Sequence, residues 1–568
     1  MTRMDYLILA ETYEKLESVS SKLEKTRIVA ELLSKTPTEL LPNVVLLCLG
    51  RVFPSYYQLE LGVATQMMMR AVSKATGFSV GEIEEIFKKT GDLGLTAEKC
   101  LEKKKQISLF KKKLTVDYVF ESLQKLATIT GEGSQEKKLN LIAGLVTFAK
   151  PKEARYIVRT ILGELRIGVA EGIIRDAIVE AFLPRKKEEK EAFIEAVDYA
   201  WNILSDFGEV AKIAKEKGIK GLKQAKIEFG RPFQVMLGEK VESIEEVVRK
   251  YGKIAAEYKY DGMRTIIEKK GKKVILFTRR QEDVTKQFPD VVRLAVECLK
   301  PEECVVEGET LGIDVKTGKP LPFQLLSQRI HRKYDIDRMV KEIPVQVNLF
   351  DVLSVEGEML IKKPFKERRK ILERITKTIP GKFQLTKQII SDDVKKLEEF
   401  YKEALEAKQE GLMLKVLDSP YVFGRHVGTM FKIKPIMETL DLVIVGATWG
   451  EGARAKWLSS YVLACRDPDT GEFLTCGMMG TGLTEEQFQL MTDVLKPLIV
   501  EEKGKEVKVR PSIVVEVGYQ EIQKSPSYTS GMALRFPKLI RIREDRSPEE
   551  CDTIDRVEAL YESQGRAG

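Results

Sequence analysis

The sequence has 568 residues, and at roughly 100–200 residues per domain this length predicts about three domains. Hydrophobic residues make up 43% of the chain, which excludes a disordered or fibrous protein. The formal net charge of +8 only weakly favours a polyanionic partner. No apolar run approaches the roughly 18 residues that span a bilayer, and residues 1–6 begin no secretory signal. Seven cysteines without a CxxC pair argue against a disulfide framework or a zinc ribbon and favour a reducing compartment. Together with the lack of a long apolar run, this predicts a cytoplasmic protein that binds no membrane.

The first part of the chain repeats apolar residues at intervals of three and four, which is the pattern of amphipathic helices. The segments with this pattern are Tyr6–Leu16, Lys22–Leu33, Val116–Leu126, Lys138–Ala149, Arg155–Leu165 and Glu191–Leu204. The basic stretch Lys215–Lys226 leads out of this part, and the pattern changes near Arg231-Pro232. We therefore predict an all-helical domain over residues 1–230.

The rest of the chain is rich in short runs that predict β-strands. The first group of runs is Val274–Thr278, Cys304–Glu307, Val345–Leu349 and Leu412–Val416. The second group follows Lys434-Pro435 and includes Asp441–Ala447, Ser460–Cys465, Phe473–Cys476 and Ile513–Gly518, with a helix near Thr484–Leu495. We expect a multidomain fold of the α and α+β classes, in which an α+β domain spans residues 231–436. A small β-barrel with a C-terminal helix would span residues 437–568.

Histidine chemistry is improbable, because the chain has only His331 and His426. No GxGxxG motif follows a predicted strand, so a dinucleotide-binding loop is not expected either. Catalysis would therefore have to use lysine, arginine, aspartate and glutamate side chains.

One string carries such chemistry: Glu257-Tyr258-Lys259-Tyr260-Asp261-Gly262-Met263-Arg264. It places Lys259 at the end of a predicted strand, before an Asp-Gly turn. A lysine is a good nucleophile only when it is deprotonated, which needs desolvation or cationic neighbours. Arg264, Lys432 and Lys434 could supply such neighbours. Taken alone, the string is more typical of a β-hairpin that carries an exposed lysine.

Further motifs follow this string in a fixed order. They are Phe277-Thr278-Arg279-Arg280-Gln281-Glu282-Asp283, Val306-Glu307-Gly308-Glu309, Asn348-Leu349-Phe350-Asp351, Glu410-Gly411-Leu412-Met413-Leu414-Lys415 and Phe431-Lys432-Ile433-Lys434. The series resembles motifs I to V of the covalent nucleotidyltransferase superfamily. Its continuation, Leu534–Pro537 and Arg541–Arg546, resembles motif VI of ATP-dependent DNA ligases, and Arg159–Gly172 is similar to the DNA-binding domain of the archaeal and eukaryotic replicative type.

The resemblance implies a reaction and a nucleotide site. Lys259 would attack the α-phosphorus of ATP and hold AMP as a phosphoramide, which divides one difficult transfer into easier steps. Glu257 would meet the adenine and Phe350 would stack on it, because an aromatic face suits a purine; core packing is the alternative explanation for Phe350. The α+β domain would be the adenylation domain, and the β-barrel would be an OB-fold.

Charged residues of the motifs would bind phosphates and magnesium. The basic side chains that would contact the nucleotide, the transferring phosphate or the incoming 5′-phosphate are Arg264, Arg279, Lys432 and Lys434. Glu309 and Glu410 would bind Mg²⁺ or ribose hydroxyls, because a carboxylate alone would repel a phosphate. Surface ion pairs are the alternative explanation for both carboxylates. Arg543, Asp545 and Arg546 would act on the pyrophosphate.

Two positions depart from the family pattern. An arginine usually lies six residues before the first lysine of motif V, where this chain has His426; the adjacent Arg425 could replace it. Motif VI usually ends in lysine, where this chain has Arg546, and the two side chains bind partners differently.

The helical domain would grip DNA through phosphates, because a ligase must accept any sequence. The expected contacts are Arg159, Arg166 and the backbone amides near Gly163 and Gly168. A solvated helical face is the alternative.

The resulting prediction is an ATP-dependent DNA ligase that seals 5′-phosphate/3′-hydroxyl nicks in duplex DNA, with ATP and Mg²⁺ as cofactors. We expect a monomer associated with the nucleoid. The rival predictions are an RNA ligase or an mRNA capping guanylyltransferase, and a nucleic-acid-binding scaffold without chemistry.

A last motif lies between two lysine triplets. Gln106-Ile107-Ser108-Leu109-Phe110 resembles the short clamp-binding box of archaeal ligases, although the second hydrophobic turn is missing. The alternative is that Leu109 and Phe110 belong to the core of the helical domain. An apolar pair on so charged a segment is poorly placed for burial, so we expect Gln106, Leu109 and Phe110 to bind a sliding clamp.

Overall fold

The computed structural model describes residues 3–57, 59–103, 113–183, 190–321, 323–332, 334–425, 428–434, 439–451, 454–480 and 483–566. The chain divides into two units. The first comprises residues 1–239, 261–386 and 415–430, and the second comprises residues 240–260, 387–414 and 431–568. None of the helices in the described residues is long and apolar enough to cross a bilayer.

The N-terminal part of the first unit is helical, as predicted. Its helices are α1 (Tyr6–Ser18), α2 (Lys22–Lys35), α3 (Leu41–Cys48), α4 (Thr65–Thr76), α5 (Val80–Thr90), α6 (Leu93–Glu102), α7 (Val116–Thr128), α8 (Ser134–Phe148), α9 (Pro151–Ile161), α10 (Glu171–Phe182), α11 (Lys190–Leu204) and α12 (Phe207–Lys223). Local signals explain several boundaries. Ser79 and Glu82 form a capping box at the start of α5, and Pro151 occupies the first turn of α9, where its missing N–H costs nothing.

Several predicted segments differ from the observed helices, and Lys138–Ala149 corresponds to α8, which begins four residues earlier. The predicted helix Arg155–Leu165 is α9, which begins and ends four residues earlier, because the chain turns at Gly163 with φ +71°. The basic stretch Lys215–Lys226 is not a linker throughout: it is helical as far as Lys223, with a kink at Gly218, where φ is +55°.

The remaining helices are α13 (Ile244–Tyr251), α14 (Pro289–Cys298), α15 (Phe323–Ile330), α16 (Ile336–Glu342), α17 (Phe365–Ile375), α18 (Val394–Glu406), α19 (Glu485–Leu495) and α20 (Ile554–Arg566). The strands are β1 (Met236–Leu237), β2 (Glu239–Lys240), β3 (Ile254–Lys259), β4 (Met263–Lys270), β5 (Lys273–Thr278), β6 (Glu303–Gly312), β7 (Val345–Val355), β8 (Glu358–Met359), β9 (Phe383–Leu385), β10 (Gln388–Ser391), β11 (Gly411–Val416), β12 (Gly424–Arg425), β13 (Met430–Ile433), β14 (Leu440–Trp449), β15 (Leu458–Arg466), β16 (Phe473–Met479), β17 (Ile499–Lys503), β18 (Glu506–Val509), β19 (Val514–Gly518), β20 (Glu521–Lys524), β21 (Met532–Arg535) and β22 (Lys538–Ile542).

The first unit also contains a sheet with the strand order β5-β4-β6-β7-β8, in which β9 pairs in parallel with β7. Its apolar face packs against α14, α15 and α17 around buried residues such as Ile267, Leu276, Phe288 and Val306. The short strands β1 and β12 form a separate parallel pair in this unit.

The second unit contains a smaller sheet and a β-domain. The smaller sheet has the order β10-β3-β11-β13-β2. In the β-domain, β14 is the central strand and pairs with β15, β18 and β19. The buried residues Leu463, Phe488 and Val517 belong to its core, which α19 helps to close. The chain thus has the predicted fold class: a helical N-terminal domain, a central α+β domain and a C-terminal OB-like β-domain.

All seven cysteines are free thiols and all are buried. Cys48, Cys100, Cys298 and Cys304 lie in the first unit, and Cys465, Cys476 and Cys551 lie in the second. No disulfide connects any of them.

Candidate active site

A cluster of charged side chains in the second unit surrounds the end of β3. Lys259 is the last residue of β3, Glu410 precedes β11, and Lys434 follows β13. The carboxylate of Glu410 forms ion pairs with both Lys259 Nζ and Lys434 Nζ. In addition, the backbone N–H of Glu410 donates to the carbonyl oxygen of Lys259 at 2.8 Å. The neighbouring strands therefore bring together two lysines and one carboxylate that are far apart in sequence.

The two ammonium groups determine the charge of Glu410. Burial alone would raise the pKa of this carboxyl, but the nearby charges of Lys259 and Lys434 outweigh burial and hold the pKa well below its usual range. Glu410 is therefore ionised at neutral pH, and its oxygen atoms are hard, anionic acceptors.

Gly411 explains how the strands approach so closely beside Glu410. Its φ is +141°, and a Cβ atom placed on it would lie 2.1 Å from the carbonyl oxygen of Ile433. Any side chain at this position would push β11 away from β13, which carries Lys432 and leads to Lys434. The fold therefore requires glycine at position 411, directly after Glu410, on steric grounds.

Glu257 lies on the same face of β3 as Lys259, because side chains alternate along a strand. It is 2% exposed, and its Oε1 accepts a hydrogen bond of 2.8 Å from Nε2 of Gln388. The two residues are direct partners in the β3–β10 register. No role had been predicted for Gln388, and only this register identifies it.

A second cluster lies in the first unit and is centred on Arg264. The guanidinium donates from Nη1 to the carbonyl oxygen of Met236 at 2.7 Å and from Nη2 to Glu307 Oε2 at 2.8 Å. The hydroxyl of Tyr421 donates to the same Glu307 oxygen at 3.0 Å. Glu307 is completely buried, so its charge requires these donors. No role had been predicted for Glu307 or Tyr421.

Phe350 lies beside this cluster, with two cations near its ring. Arg264 is 5.2 Å from the ring centroid, and Lys415 is 4.8 Å from it. Lys415 is 5% exposed and also lies 4.6 Å from the ring of Phe365. The cations fix the orientation of the Phe350 ring through its negative face. Phe350 is only partly buried, so simple core packing does not account for it fully.

The other predicted nucleotide residues of the first unit lie on strands or directly after one. Glu309 is the direct partner of Arg264 in the β4–β6 register. Arg279 follows β5 and is exposed to solvent. Arg425 is the second residue of β12, while His426 lies outside the described residues.

The motif VI residues form a network with one unpredicted aspartate. Arg543 donates from Nε and Nη2 to both carboxylate oxygens of Asp545, and from Nη1 to Asp441 Oδ2 at 2.7 Å. Arg546 Nη1 lies 3.2 Å from the same oxygen of Asp441. The hydrogen bonds and charge of Arg543 hold the pKa of Asp545 far below its usual range. Nothing in the sequence around Asp441 indicates this contact.

The two arginines that were predicted to contact DNA differ in their exposure to solvent. Arg159 is 3% exposed, and its guanidinium is bonded to Asp92 and Glu17. A phosphate could reach it only after these ion pairs break, so Arg159 leaves the set of proposed phosphate contacts. The phosphate contact was predicted from the motif alone, which could not reveal the ion pairs with Asp92 and Glu17.

Arg166, by contrast, has half of its side chain exposed, although it pairs with Glu164 and lies 3.5 Å from Asp92. It adopts a left-handed φ of +57°, between Gly163 and Gly168, which also have positive φ. Gly163 lines a cavity of about 590 Å³ together with residues 50–55 and 59–63.

The predicted clamp-binding residues Gln106, Leu109 and Phe110 lie outside the described residues. Within the described part of the chain, no group of three or more histidine, cysteine, aspartate or glutamate side chains could hold a metal ion by itself. Magnesium needs only one or two carboxylates when substrate phosphates supply the other ligands, and the ionised Glu410 suits that role.

Comparisons with known proteins identify the family of the chain. Three family models match the chain: DNA ligase N terminus over residues 5–179, ATP dependent DNA ligase domain over residues 235–434, and ATP dependent DNA ligase C terminal region over residues 454–546. The DNA ligase of Nanoarchaeum equitans is 50% identical over 569 residues and 99% of each chain. That of Thermococcus onnurineus is 47% identical over 567 residues, which cover 100% of this chain and 99% of the relative.

A solved structure named Pmar-Lig_Pre has the same fold. It superposes with a TM-score of 0.57 at 17% identity and covers 94% of this chain and 99% of its own. The motifs, the two charged clusters and the full-length similarity lead to one conclusion: this chain belongs to the family of ATP-dependent DNA ligases.

Proposed function

We propose that this DNA ligase seals 5′-phosphate/3′-hydroxyl nicks in duplex DNA, with Lys259 as the nucleophile. In the first step, Lys259 Nζ forms a bond to the α-phosphorus of ATP, and pyrophosphate leaves. In the second, the 5′-phosphate of the nick attacks the lysine-bound AMP and frees Lys259. In the third, the 3′-hydroxyl attacks the adenylylated 5′-phosphate, a phosphodiester forms and AMP leaves.

The ion-pair cluster at the end of β3 carries this proposal. A lysine nitrogen attacks phosphorus only as the free amine, so the pair between Lys259 and Glu410 has to open before the reaction. The second pair, with Lys434, leaves Glu410 with a partner when Lys259 departs. Lys434 and Lys432 then neutralise charge on the transferring phosphate.

The remaining motif residues would orient the nucleotide. Glu257, fixed by Gln388, would meet the adenine, and Phe350 would stack on it. The phosphates and the ribose would be contacted by Arg264, Arg279, Glu309 and Arg425. Glu410 and Glu309 would hold magnesium, which supplies charge neutralisation on the phosphates when it is bound.

Motif VI and the helical domain would act on the leaving group and on DNA. Arg543, Asp545 and Arg546 would contact pyrophosphate, in a β-domain that we assign to residues 437–568. We assign adenylation to residues 231–436 and DNA binding to residues 1–230. Arg166 and the amides of Gly163 and Gly168 remain the proposed phosphate contacts there.

We further propose that the segment with Gln106, Leu109 and Phe110 binds a ring-shaped sliding clamp, while the enzyme itself is a monomer. The support is the sequence: a glutamine and an apolar pair between two lysine triplets. The double variant Leu109→Ala with Phe110→Ala should lose clamp affinity in calorimetry and keep clamp-free nick sealing. Unchanged affinity contradicts the proposal, and loss of clamp-free sealing indicates that both residues belong to the core.

One experiment tests the chemistry and separates the rival functions. The protein is incubated with labelled ATP or GTP, the lysine adduct is located by mass spectrometry, and nicked DNA or nicked RNA is then added. We expect AMP on Lys259 and its consumption by nicked DNA. A GMP adduct or sealing of RNA alone would indicate a capping enzyme or an RNA ligase, and the absence of any adduct would indicate a scaffold.

A further inference from the structure

Tyr421 occupies an unusual position for a tyrosine without an assigned function. It is 5% exposed, and its hydroxyl lies among three polar groups of the first unit. The backbone N–H of Met236 donates to it at 2.9 Å, and it donates to Glu307 Oε2 at 3.0 Å. The third neighbour is Arg264 Nη2, at 3.4 Å.

These contacts close a ring of four residues. Arg264 donates to the Met236 carbonyl and to Glu307, while Tyr421 connects the Met236 N–H to the same Glu307 oxygen. Both backbone groups of Met236 are therefore used. The ring joins strands β1, β4 and β6 to the segment before β12, so the orientation of one guanidinium depends on four separate parts of the chain.

The hydroxyl of Tyr421 suits this place because it accepts and donates at the same time. Burial, together with the negative charge of Glu307, raises the pKa of Tyr421 far above its usual value, so the hydroxyl keeps its proton at any working pH. A phenylalanine would leave the Met236 N–H without this acceptor and would remove one of the two donors to Glu307.

Fixing Arg264 matters for the reaction because arginine is a long side chain with considerable rotamer entropy. The ring holds the guanidinium 5.2 Å from the centroid of Phe350. The proposed phosphate contact and the proposed adenine platform are therefore placed together, before the nucleotide arrives.

From this geometry we infer that Tyr421 is a positioning residue for nucleotidyl transfer: with Glu307, it holds Arg264 in the orientation that the transfer step uses. The inference rests on the proposed role of Arg264 at the nucleotide. It assigns Tyr421 no contact with the substrate.

The test is Tyr421→Phe in the full-length protein, measured by single-turnover formation of the lysine–AMP adduct over a range of ATP concentrations. The variant loses the hydrogen bond that the Tyr421 hydroxyl donates to the Glu307 carboxylate. The rate at saturating ATP should therefore fall about tenfold or more, while the half-saturating ATP concentration changes less. The matched control is Tyr461→Phe in the β-domain, which removes a buried hydroxyl bonded to the Leu458 carbonyl. That control should keep the wild-type rate.

A coupled measurement shows whether Tyr421 acts through Arg264. In an Arg264→Ala background, Tyr421→Phe should lower the rate by less than about twofold, since its effect has already been lost. A rate for Tyr421→Phe equal to that of Tyr461→Phe, or a full additional loss in the Arg264→Ala background, overturns the inference. If Tyr421→Phe does not fold, Glu307→Gln is measured in its place with the same criteria. If Arg264→Ala itself keeps the wild-type rate, the proposed role of Arg264 is what fails.

Discussion

Arg543 and Asp441 are 102 positions apart in sequence, yet Arg543 Nη1 donates to Asp441 Oδ2 at 2.7 Å. Asp441 lies near the start of β14, the central strand of the β-domain, and the same carboxylate also pairs with Arg546. A single aspartate thus anchors two arginines of motif VI to the most extensively paired strand of that domain. Their guanidinium groups are held by the fold before any substrate binds.

Replacement of Asp441 should therefore impair the step assigned to motif VI. Asp441→Asn keeps the shape and removes the charge, so we expect formation of the lysine–AMP adduct to slow by about tenfold. Sealing of a nick that already carries AMP should remain close to wild type. Asp469→Asn, at an exposed turn of the same domain, is the control and should be silent. Equal loss in both reactions would indicate general damage to the domain.

Lys259→Arg distinguishes charge from nucleophilicity at the end of β3. An arginine can still pair with Glu410, but it does not lose its proton in a protein and cannot attack phosphorus. We expect a folded variant with no adduct and no sealing from ATP, and with DNA affinity within about twofold of wild type. Lys273→Ala, an exposed lysine on β5, should form the adduct normally. An adduct on Lys259→Arg would show that another residue is the nucleophile.

Glu268 should make the stability of the protein depend on pH. Burial raises the pKa of this carboxyl from 4.5 to about 8, while its Oε2 accepts from the Gly230 N–H and Asp283 adds negative charge nearby. Between these values the folded state keeps a proton that the unfolded state releases. Raising the pH therefore favours unfolding, by about 1.4 kcal/mol per pH unit within that window.

Glu268→Gln removes the titrating group and keeps an acceptor for Gly230. Its melting temperature should match the wild type near pH 5 and exceed it near pH 8, as measured by calorimetry across that range. An identical pH dependence in both proteins would show that Glu268 is ionised in the folded state.

Two arginine variants of the helical domain should affect different properties, one the folding stability and the other the affinity for DNA. Arg159→Ala leaves the buried Asp92 without its main partner, so we expect a loss of about 3–5 kcal/mol in folding stability. Arg166→Ala should change stability much less, weaken DNA binding and reduce the salt dependence of log affinity by about one. Thermal melts and DNA titrations at several salt concentrations measure both. Weaker DNA binding by a fully stable Arg159→Ala variant would restore Arg159 to the DNA interface.

The fold class and most of the named elements could be predicted because periodicity reports directly on burial. The segments Tyr6–Leu16 and Val116–Leu126 became α1 and α7 within two residues at each end, and Val274–Thr278 became β5. A predicted helix boundary was wrong at α9, because the apolar pattern continues past Ile161 while the chain turns at Gly163.

The site was predictable only where a residue belongs to an ordered motif. Lys259, Glu410 and Lys434 were expected together, and they do meet. Tyr421, Asp441 and Gln388 were not expected, because each acts through a contact set by strand pairing or by a distant loop. Arg159 illustrates the opposite limit. Its motif identified the residue, but a motif does not determine whether a side chain is exposed, and Arg159 is buried.

The buried thiols have a practical consequence for the study of unfolding. A thiol-reactive reagent added to the folded protein finds no exposed cysteine, so labelling reports opening of the structure and not its surface. Since the cysteines are distributed over both units, peptide mapping after brief heating would show which unit opens first. The native sequence thus contains its own local reporters of melting, and a single cysteine introduced at the surface could carry a fluorophore without removal of the others.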